Sequence, residues 1–378
     1  MQWFYILALL PMFIGLILFF KSKRVHWWEL VASTAAGFLI AATMHFFAAR
    51  GMTADVETWS GYVTQTTYNP EWVEKWIEQH SESYECGTTD NPSTCWRYWT
   101  TTEYDTHEEH WMVTINFGAE EQEWRVSEGE YKSITKALGN KIEIGPLQEF
   151  NHGGEYYEGN QNSYVAQNRT GFIWPATTKK KFENRIKAAP SVFSFISVPT
   201  NVPVFAYPDN GNKWVSDRLL GTAKQHINWF AFDQLNARLG AVKKVNVIMV
   251  GFDSEDSSLG EYQRAKWVGG KKNDIVLCYG KGWTKVFGWS DSELCKRNLE
   301  TLLLRGPINT GLLTSIEDEI RANYRLKDWK AFDYLSIQPR PVHFVVYLIL
   351  MLVVQAGMWI WALSNDVDCS FRSVYRRW

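Results

Sequence analysis

"WFYILALLPMFIGLILFF", residues 3–20, is an apolar run of 18 residues that decides the class of protein. A helix needs about 20 predominantly apolar residues to cross a hydrocarbon core of roughly 30 Å. Two further runs are of similar length, "LVASTAAGFLIAATMHFFAA" (30–49) and "VHFVVYLILMLVVQAGMWIWAL" (342–363). The sequence therefore predicts three transmembrane helices.

Two alternatives exist for these runs. A cleaved signal peptide at the N-terminus would need a positively charged start and a cleavage site between small residues, and residues 1–20 contain neither. Buried helices of a soluble protein would be shorter, and tryptophans flank these runs, as they do in the headgroup zone of membranes. The flanking tryptophans are Trp27, Trp28, Trp359 and Trp361.

Charge near the helix ends predicts the orientation, because Lys and Arg in short loops stay in the cytoplasm. The link between the first two helices and the tail after the third are both basic. Their basic residues are Lys21, Lys23 and Arg24 in the link, and Arg372, Arg376 and Arg377 in the tail. The segment between the second and third helices, residues 50–340, is therefore expected outside the cytoplasm.

Cysteine placement fits this orientation. Four of the five cysteines, Cys86, Cys95, Cys278 and Cys295, lie within residues 50–340, and Cys369 lies in the tail. Disulfides form in oxidising compartments, and Cys86 and Cys95 flank the turn-rich "GTTDNPST". We expect a disulfide there rather than half of a metal site, because no partner pair of ligands has zinc-like spacing. A second disulfide is expected between Cys278 and Cys295, and the alternative is two buried free thiols.

Composition argues against a nucleic-acid-binding protein, because the formal net charge is −2 and no concentrated basic field is present. The predicted fold class is an α+β membrane protein with a disulfide-stapled β-rich lobe and an α/β sandwich lobe. The expected segments are a transmembrane hairpin (1–49), the β-rich lobe (50–170), a proline-rich connector (171–210), the α/β lobe (211–335), a transmembrane helix (341–363) and a cytoplasmic tail (364–378).

The first lobe shows strand patterns and one helix. Residues 60–68, 95–104 and 110–117 are rich in β-branched and aromatic residues with partial alternation, which predicts strands. The helix is expected to begin at Ser127, which forms a capping box with Glu130, and to stop at Gly139.

The second lobe alternates helices and strands. Residues 214–240 have apolar residues at helical spacing and predict one long helix. Strands are expected at 244–252, 274–280 and 282–289, with a short helix between the first two. Two more helices are expected, one beginning with a capping box of Ser290 and Glu293 and ending at Gly306, and one at 310–324.

The order of these elements in residues 213–325 resembles the TPM domain family, small extracytoplasmic α/β domains usually tethered by a transmembrane helix. The likeness is carried by "VNVIMVGFDSEDSSLGEYQRAKWVGGKKNDIVLCYGKGWTKVFGW" and "RGPINTGLLTSIEDEI", which place Asn273-Asp274, Gly288, Pro307 and Gly311 as in that family. Residues 50–170 also resemble the aromatic-rich, disulfide-bearing outer segments of uncharacterised phage-encoded membrane proteins.

The TPM resemblance implies an acidic site, since some members are described as phosphatases and some bind calcium. Asp253, Glu255 and Asp256 follow one predicted strand, and Asp274 precedes the next. Carboxylates at strand ends offer the oxygen ligands that Ca²⁺ prefers, so we take Asp253, Asp256 and Asp274 as candidate metal ligands. The alternative is a solvated polar loop, because the EF-hand spacing, a Walker loop, a hydrolase elbow and HExxH are all missing from the sequence.

Two other features could mark a site. His107 and His110 suggest zinc, but residues three apart on a strand point to opposite faces. The chain has 20 tryptophans, and four in the first lobe could form a sugar-stacking platform or a patch for a protein partner, or fill a small β core. These four are Trp96, Trp99, Trp111 and Trp124.

The function expected from the sequence is an integral membrane protein that presents an extracytoplasmic binding or assembly domain. Small residues such as Gly15 and Gly37 in the first two helices allow close packing, so these helices are expected to associate with the third helix or with another copy. The first alternative is a calcium-dependent TPM-type phosphatase, and the second is a glycan-binding module.

Overall fold

The computed structural model describes residues 2–21, 27–88, 93–189, 192–193, 195–208, 211, 214, 216–337 and 340–365. Several residues used above lie outside the described residues, namely Lys23, Arg24, Arg372, Arg376, Arg377 and Cys369. Contacts along the chain divide it into two compact units. One unit comprises residues 1–57, 181–198 and 328–378, and the other comprises 58–180 and 199–327.

The helices of the described residues are, in chain order, α1 (Gln2–Leu7), α2 (Leu10–Lys21), α3 (Trp27–Thr53), α4 (Glu128–Leu138), α5 (Arg185–Ala188), α6 (Ala223–His226), α7 (Trp229–Lys243), α8 (Ser258–Lys266), α9 (Glu293–Arg305), α10 (Leu312–Asn323) and α11 (Pro341–Asn365). A 3-10 turn covers Trp329–Phe332.

The strands are β1 (Ala54–Asn69), β2 (Trp72–Glu85), β3 (Thr94–His107), β4 (His110–Asn116), β5 (Glu121–Val126), β6 (Glu143–Leu147), β7 (Glu155–Gly159), β8 (Asn162–Gln167), β9 (Pro175–Glu183), β10 (Leu219–Gly221), β11 (Asn246–Gly251), β12 (Asp274–Gly280) and β13 (Trp283–Phe287).

Three helical segments are long and apolar enough to cross a membrane, Phe4–Lys21, Trp27–Thr53 and Pro341–Ser364. In length and composition they match the three predicted segments, which indicates membrane association. The first segment is interrupted by a turn at residues 8–9, just before Pro11. This position follows from proline chemistry, because Pro11 has no N–H to continue the helical hydrogen bonds.

Close packing joins α11 to the first two spans. A Cβ added at Gly15 would lie 2.5 Å from atoms of Leu30 and Trp359, so only glycine fits there. The Tyr347 hydroxyl donates to the carbonyl oxygen of Phe4 at 2.9 Å. The predicted association of the third helix with the helical hairpin therefore occurs within the chain, and association with another copy stays a prediction.

The second unit contains three sheets. The largest has the order β5-β4-β1-β8-β6, with β9 also paired to β1. Helix α4 packs on this sheet through Ile134 and Leu138, which meet Val63 and Val113 in one core. The capping box of Ser127 and Glu130 and the left-handed Gly139 at the helix end are confirmed. Part of the expected connector is different, because Pro175–Glu183 forms strand β9.

The α/β part is a four-stranded sheet with the order β10-β11-β12-β13. The first three strands are parallel, and β13 pairs antiparallel with β12. Helices α7, α9 and α10 cover one face of the sheet. Helix α8 covers the other face, together with Val202, Phe205 and Tyr207 of the proline-rich segment. The predicted strands at 244–252 and 274–280 are confirmed as β11 and β12.

Two local predictions in this part were wrong. Residues 214–240 are not one helix, because Leu219–Gly221 is the edge strand β10, followed by α6 and α7. Gly221 has φ +59°, a left-handed conformation that ends the strand and that a continuous helix excludes. The cap of α9 is Ser292, whose Oγ accepts from the Cys295 N–H, whereas Ser290 donates to the Arg325 carbonyl.

Cys278 and Cys295 are free buried thiols. A second disulfide between them is wrong because they lie on opposite faces of the α/β sheet. Cys278 of β12 packs with Ile248 and Val276 in the core under α8, whereas Cys295 of α9 packs in the core on the other face, with Leu277. The sheet itself separates the two sulfur atoms.

Buried polar contacts hold β1 against the α/β part. The side chain of Arg218 is 1% exposed and lies 3.5 Å from Asp233 through its Nη1. Its Nη2 donates to Ser60 Oγ at 2.7 Å. Asn273 Nδ2 donates to the carbonyl oxygen of Thr58 at 2.8 Å. The β-rich and α/β lobes expected from the sequence therefore belong to one compact unit.

Breaking this ion pair should be costly. In Arg218→Met, Asp233 stays buried without its cation, so we expect a loss of about 3–5 kcal/mol in the free energy of unfolding. Adding Asp233→Asn should recover part of this loss, because the uncompensated charge is removed. Urea unfolding of the purified full-length chain, followed by near-UV circular dichroism, measures both changes.

The control is Arg238→Met, which breaks the surface ion pair of Arg238 with Glu317. Because the Arg238 side chain is 34% exposed, water replaces much of the interaction, and we expect a cost below about 1 kcal/mol. Equal losses in the two single variants would contradict a special role for the buried pair.

Candidate functional site

The three carboxylates proposed for calcium do not come together. In the parallel pair of β11 and β12, Asn246 lies opposite Asp274, so Asp274 is level with the start of β11. Asp253 follows the end of β11. At about 3.3 Å per residue, the two ends of a six-residue strand are roughly 20 Å apart. Asp253, Asp256 and Asp274 therefore cannot bind one ion, and the predicted site was wrong because strand register places Asp274 at the opposite edge.

Each of these carboxylates has a structural partner. Asp274 is fully buried and accepts hydrogen bonds from the Tyr207 hydroxyl at 2.9 Å and from Asn246 Nδ2 at 2.8 Å. Burial raises the pKa of Asp274, and these hydrogen bonds oppose that rise. At the other edge, Asp253 pairs with Lys281 at 2.7 Å, and Asp256 accepts from the backbone N–H of Ser258.

A histidine and a tyrosine lie together at the edge where the parallel strands have their carboxyl ends. His226 Nδ1 lies 3.1 Å from the Tyr279 hydroxyl, and the Thr222 N–H donates to the carbonyl oxygen of Gly251 at 3.1 Å. Because α7 and α8 cover opposite faces, the loops after β10 and β11 diverge here, which is where open α/β sheets commonly bind ligands. Sequence reasoning missed this pair because His226 and Tyr279 are 53 residues apart and only the fold brings them together.

A more conspicuous surface is the sheet of β3-β2-β7. We call β2, β3 and their link, residues 72–107, the aromatic hairpin. Its two strands pair antiparallel over their full length, from Trp72 opposite His107 to Glu85 opposite Thr94. The predicted disulfide between Cys86 and Cys95 is confirmed at the tip, with their Cα atoms 5.8 Å apart. Residues 89–92 of the tip lie outside the described residues.

One face of the aromatic hairpin carries exposed rings. Opposite residues of an antiparallel pair share a face and successive residues alternate, so Trp96, Tyr98 and Tyr104 lie on the same side. Tyr98 is 75% exposed, and Trp96 is 57% exposed. Ile77 is exposed on the same side, and Tyr104 contacts Tyr157 of β7 edge to face at 4.9 Å. A surface with exposed aromatic and aliphatic side chains therefore lies open to solvent.

The other face carries three stacked pairs of tryptophan and histidine. Trp72 stacks on His107 with ring centroids 4.0 Å apart, and Trp76 stacks on His152 at 3.9 Å. Trp99 and His80 are 5.4 Å apart nearer the tip. The described pairs follow one another from the base of the hairpin, where Trp72 is fully buried, toward the tip, where Trp99 is exposed.

Glu74 anchors the base of this face. Its side chain is fully buried, and its Oε1 accepts from the N–H groups of His152 at 3.0 Å and Gly154 at 2.8 Å. Its Oε2 accepts from the N–H of Asn151 at 2.8 Å and lies 3.1 Å from His107 Nε2. Burial acts to raise the pKa of Glu74, but the four hydrogen bonds outweigh it and lower the pKa to about 2. The carboxylate thus holds the loop before β7 against the hairpin.

Glu74, Asp105 and His107 could together hold a metal ion by distance alone, because one ligand atom from each lies within 4.8 Å of the others. Each Glu74 oxygen already accepts two hydrogen bonds, which fills its lone pairs. Asp105 Oδ2 accepts from Asn151 Nδ2 at 2.9 Å. The arrangement is therefore a hydrogen-bonded anchor, in which the protein itself supplies the donors that a cation would replace.

The zinc pair and the tryptophan platform take other forms. His107 ends β3 beside Glu74, whereas His110 begins β4 and its Nε2 contacts Asn69 Nδ2 at 3.0 Å. Trp96 and Trp99 lie on opposite faces of the aromatic hairpin. The remaining two tryptophans are in the largest sheet, where Trp111 stacks on Tyr68 and Trp124 packs near Phe117. The four tryptophans do not form one platform.

Sequence reasoning found the disulfide but missed Glu74. A signal was present in "WVEKW", residues 72–76, where Trp72, Glu74 and Trp76 alternate and so share one face of a strand. Their partners on the loop at 150–154 are distant in the sequence, and only the pairing of β2 with β7 brings that loop next to them.

Comparisons with known proteins give no relative for this chain. No protein-family model, no curated protein and no solved structure matches it. The TPM and phage resemblances therefore remain predictions.

The lowered pKa of Glu74 makes a pH-dependent contribution to stability. Because the pKa in the folded protein is about 2 and the ordinary value is 4.5, the contribution is complete above pH 4.5 and is lost as the pH falls toward 2. The shift corresponds to about 3 kcal/mol. We expect Glu74→Gln to lower the free energy of unfolding by about this amount at pH 7 and to flatten its fall between pH 4.5 and 2.5.

The matched control is Glu78→Gln, four residues along the same strand and on the same face, where the side chain is 54% exposed. This variant should keep the pH dependence of the parent chain. Urea titrations of the full-length chain at several pH values test both variants, and an unchanged acid profile in Glu74→Gln would refute the anchoring role.

Proposed function

We propose that this chain is an integral membrane protein that presents a binding or assembly domain outside the cytoplasm, with the aromatic hairpin as its contact surface. The observation that carries the proposal is the exposure of Trp96, Tyr98 and Tyr104 on one face of a long, disulfide-closed hairpin. Exposed aromatic residues grouped on one surface are typical of sites that bind a partner.

Rigidity supports this role. Binding costs less when the contact residues are already fixed in their bound geometry. The Cys86–Cys95 bond restrains the tip, and the Glu74 carboxylate restrains the base through the loop at 151–154. An isolated two-stranded hairpin is marginally stable in water, so both restraints serve a surface that packs little of itself into the core.

Backbone geometry favours a protein as the partner. In its sheet β3 is an outer strand, with β2 on one side. An outer strand presents N–H and C=O groups that can pair with an extended segment of another chain, while alternate side chains supply specificity. The side chains next to this edge include Tyr98 and Tyr104, which would pack against the added strand. A glycan is the alternative ligand, since exposed rings also stack on sugars.

The location outside the cytoplasm is part of the proposal. A disulfide persists in an oxidising compartment, and Cys86–Cys95 lies in the part of the chain between the second and third spans. The basic residues at the opposite helix ends, including Lys21, favour the same orientation.

We further propose that the α/β part is a TPM-like domain. Its order of parallel strands, intervening helices and a final antiparallel strand supports this assignment. The proposal contains no phosphatase step, because Asp253 and Asp274 lie at opposite ends of the parallel strands.

A photo-cross-linker at position 98 tests the contact surface. We expect p-benzoylphenylalanine in place of Tyr98 to give a discrete adduct in membranes of cells that naturally make the protein, because position 98 lies in the contact face. The mass of the adduct identifies a second copy of the chain or another protein. If glycosidases removed the added mass of the adduct, the ligand of this surface would be a glycan and not a protein.

The matched control places the same group at Lys132 of α4, where the side chain is 70% exposed but lies outside the aromatic hairpin. No adduct is expected there. A second control repeats position 98 in Cys86→Ser/Cys95→Ser, where a loosened tip should lower the yield. Equal adducts at positions 98 and 132 would overturn the proposal.

Thiol labelling tests the orientation. In intact cells, an impermeant maleimide should label no cysteine before reduction, because Cys86 and Cys95 are joined and Cys278 and Cys295 are buried. After an impermeant reductant, it should label Cys86 and Cys95. Cys369 should react only after permeabilisation. Labelling of Cys369 in intact cells would show the reverse orientation, and Cys369→Ser is the control that assigns the signal.

A further inference from the structure

A cavity of about 1050 Å³ lies in the unit that contains the membrane helices. Its walls come from α1, the last turns of α3, the start of β1, the end of β9 and α5. The cavity therefore begins beside apolar helix and continues past the C-terminal end of a membrane span.

The helical wall is apolar with one polar pair. Ala42, Phe46 and Ala49 line it from α3, and Tyr5 lines it from α1. The Tyr5 hydroxyl lies 3.0 Å from His45 Nδ1, which joins the two helices at this wall. This part of the cavity is therefore better suited to contact an acyl chain than to contact water.

The other end of the cavity is cationic. Arg50, Lys181 and Lys187 line it, and all three are exposed. The Arg50 guanidinium lies 5.7 Å from the centre of the Phe46 ring, at the boundary between the apolar and charged parts. Lys187 Nζ donates to the carbonyl oxygen of Ala54 at 3.1 Å, which places its charge at the wall.

The acidic residues of the lining are already engaged. Asp55 accepts from Asn184 Nδ2 at 2.7 Å and from the Val56 N–H at 2.9 Å. Glu183 accepts from Arg185 Nε at 2.9 Å. Among the described residues, neither carboxylate forms an ion pair with Arg50, Lys181 or Lys187, so these three cations remain for an entering ligand.

We propose that this cavity binds an anionic phospholipid of the bilayer, with its headgroup at Arg50, Lys181 and Lys187 and an acyl chain along Ala42 and Phe46. The joined apolar and cationic parts carry the inference, because a phospholipid is the membrane component that has both. A water-soluble anion leaves the apolar wall unused, and a zwitterionic lipid brings no net charge to the basic end. Basic residues at an anionic lipid surface each contribute about 1 kcal/mol.

Native mass spectrometry of the full-length chain in detergent tests the proposal. Phosphatidylglycerol and phosphatidylcholine with identical acyl chains are titrated separately, and the first bound lipid is counted. We expect phosphatidylglycerol to bind more tightly. Arg50→Gln and Lys181→Gln should each weaken its binding about five-fold, and the double variant roughly 30-fold, with little effect on phosphatidylcholine.

Two further variants separate the parts of the cavity. Ala42→Phe fills the apolar end and should weaken binding of both lipids. Lys21→Gln changes a basic residue at the other end of the first two spans and should leave binding unchanged, which controls for general charge effects. Unchanged urea unfolding and intact Cys86–Cys95 show that each variant folds.

Two results would overturn the inference. Wild-type affinity for phosphatidylglycerol in Arg50→Gln/Lys181→Gln would show that the lipid binds elsewhere on the apolar surface. Displacement of phosphatidylglycerol by an equal concentration of inorganic phosphate would show a site for a free anion.

Discussion

The buried ion pair of Arg218 with Asp233 constrains how the parts of the larger unit meet. Its cation also bonds Ser60, so one side chain joins the β10 region, α7 and the central strand β1. Apolar surfaces can pack in several registers at similar energy, whereas a buried charge requires its partner at one position. The pair thus fixes how the largest sheet meets the α/β sheet, although its net contribution to stability is small when both partners are kept.

The aromatic hairpin, in contrast, is ordered by restraints at its two ends and not by a buried contact along its length. Its rings near the tip gain nothing from a core, because both faces beyond Trp72 and Glu74 lie in water or partly in water. Order there comes from a covalent bond at one end and a four-fold hydrogen-bonded carboxylate at the other. Between these restraints the strand pairing is continuous, so the exposed rings keep a fixed spacing. Because the exposed rings keep their arrangement without packing into a core, they are available to contact another molecule.

Features that depend on local chemistry could be predicted from the sequence. The three helices that are long and apolar enough to cross a membrane follow from the length of the apolar runs, and the start and end of α4 follow from Ser127, Glu130 and Gly139. The disulfide follows from two cysteines around a turn. Strand β10 could not be predicted, because Leu219 and Leu220 fit a helical pattern and only pairing with β11 makes them a strand. The free state of Cys278 and Cys295 could not be predicted either, because it depends on which face of the sheet each cysteine occupies.

Carboxylates show most clearly why the site could not be predicted. Asp253 and Asp256 attract attention because they cluster in the sequence, yet each is satisfied by a neighbour and exposed to water. Asp274 precedes the next strand in the sequence and was grouped with them, but it is buried at the opposite edge of the sheet. Glu74 lies in an unremarkable strand, and the fold surrounds it with three backbone N–H groups from a loop about 80 residues later. What a carboxylate does is therefore decided by the donors that non-local pairing brings to it, and sequence spacing gives little information about those donors.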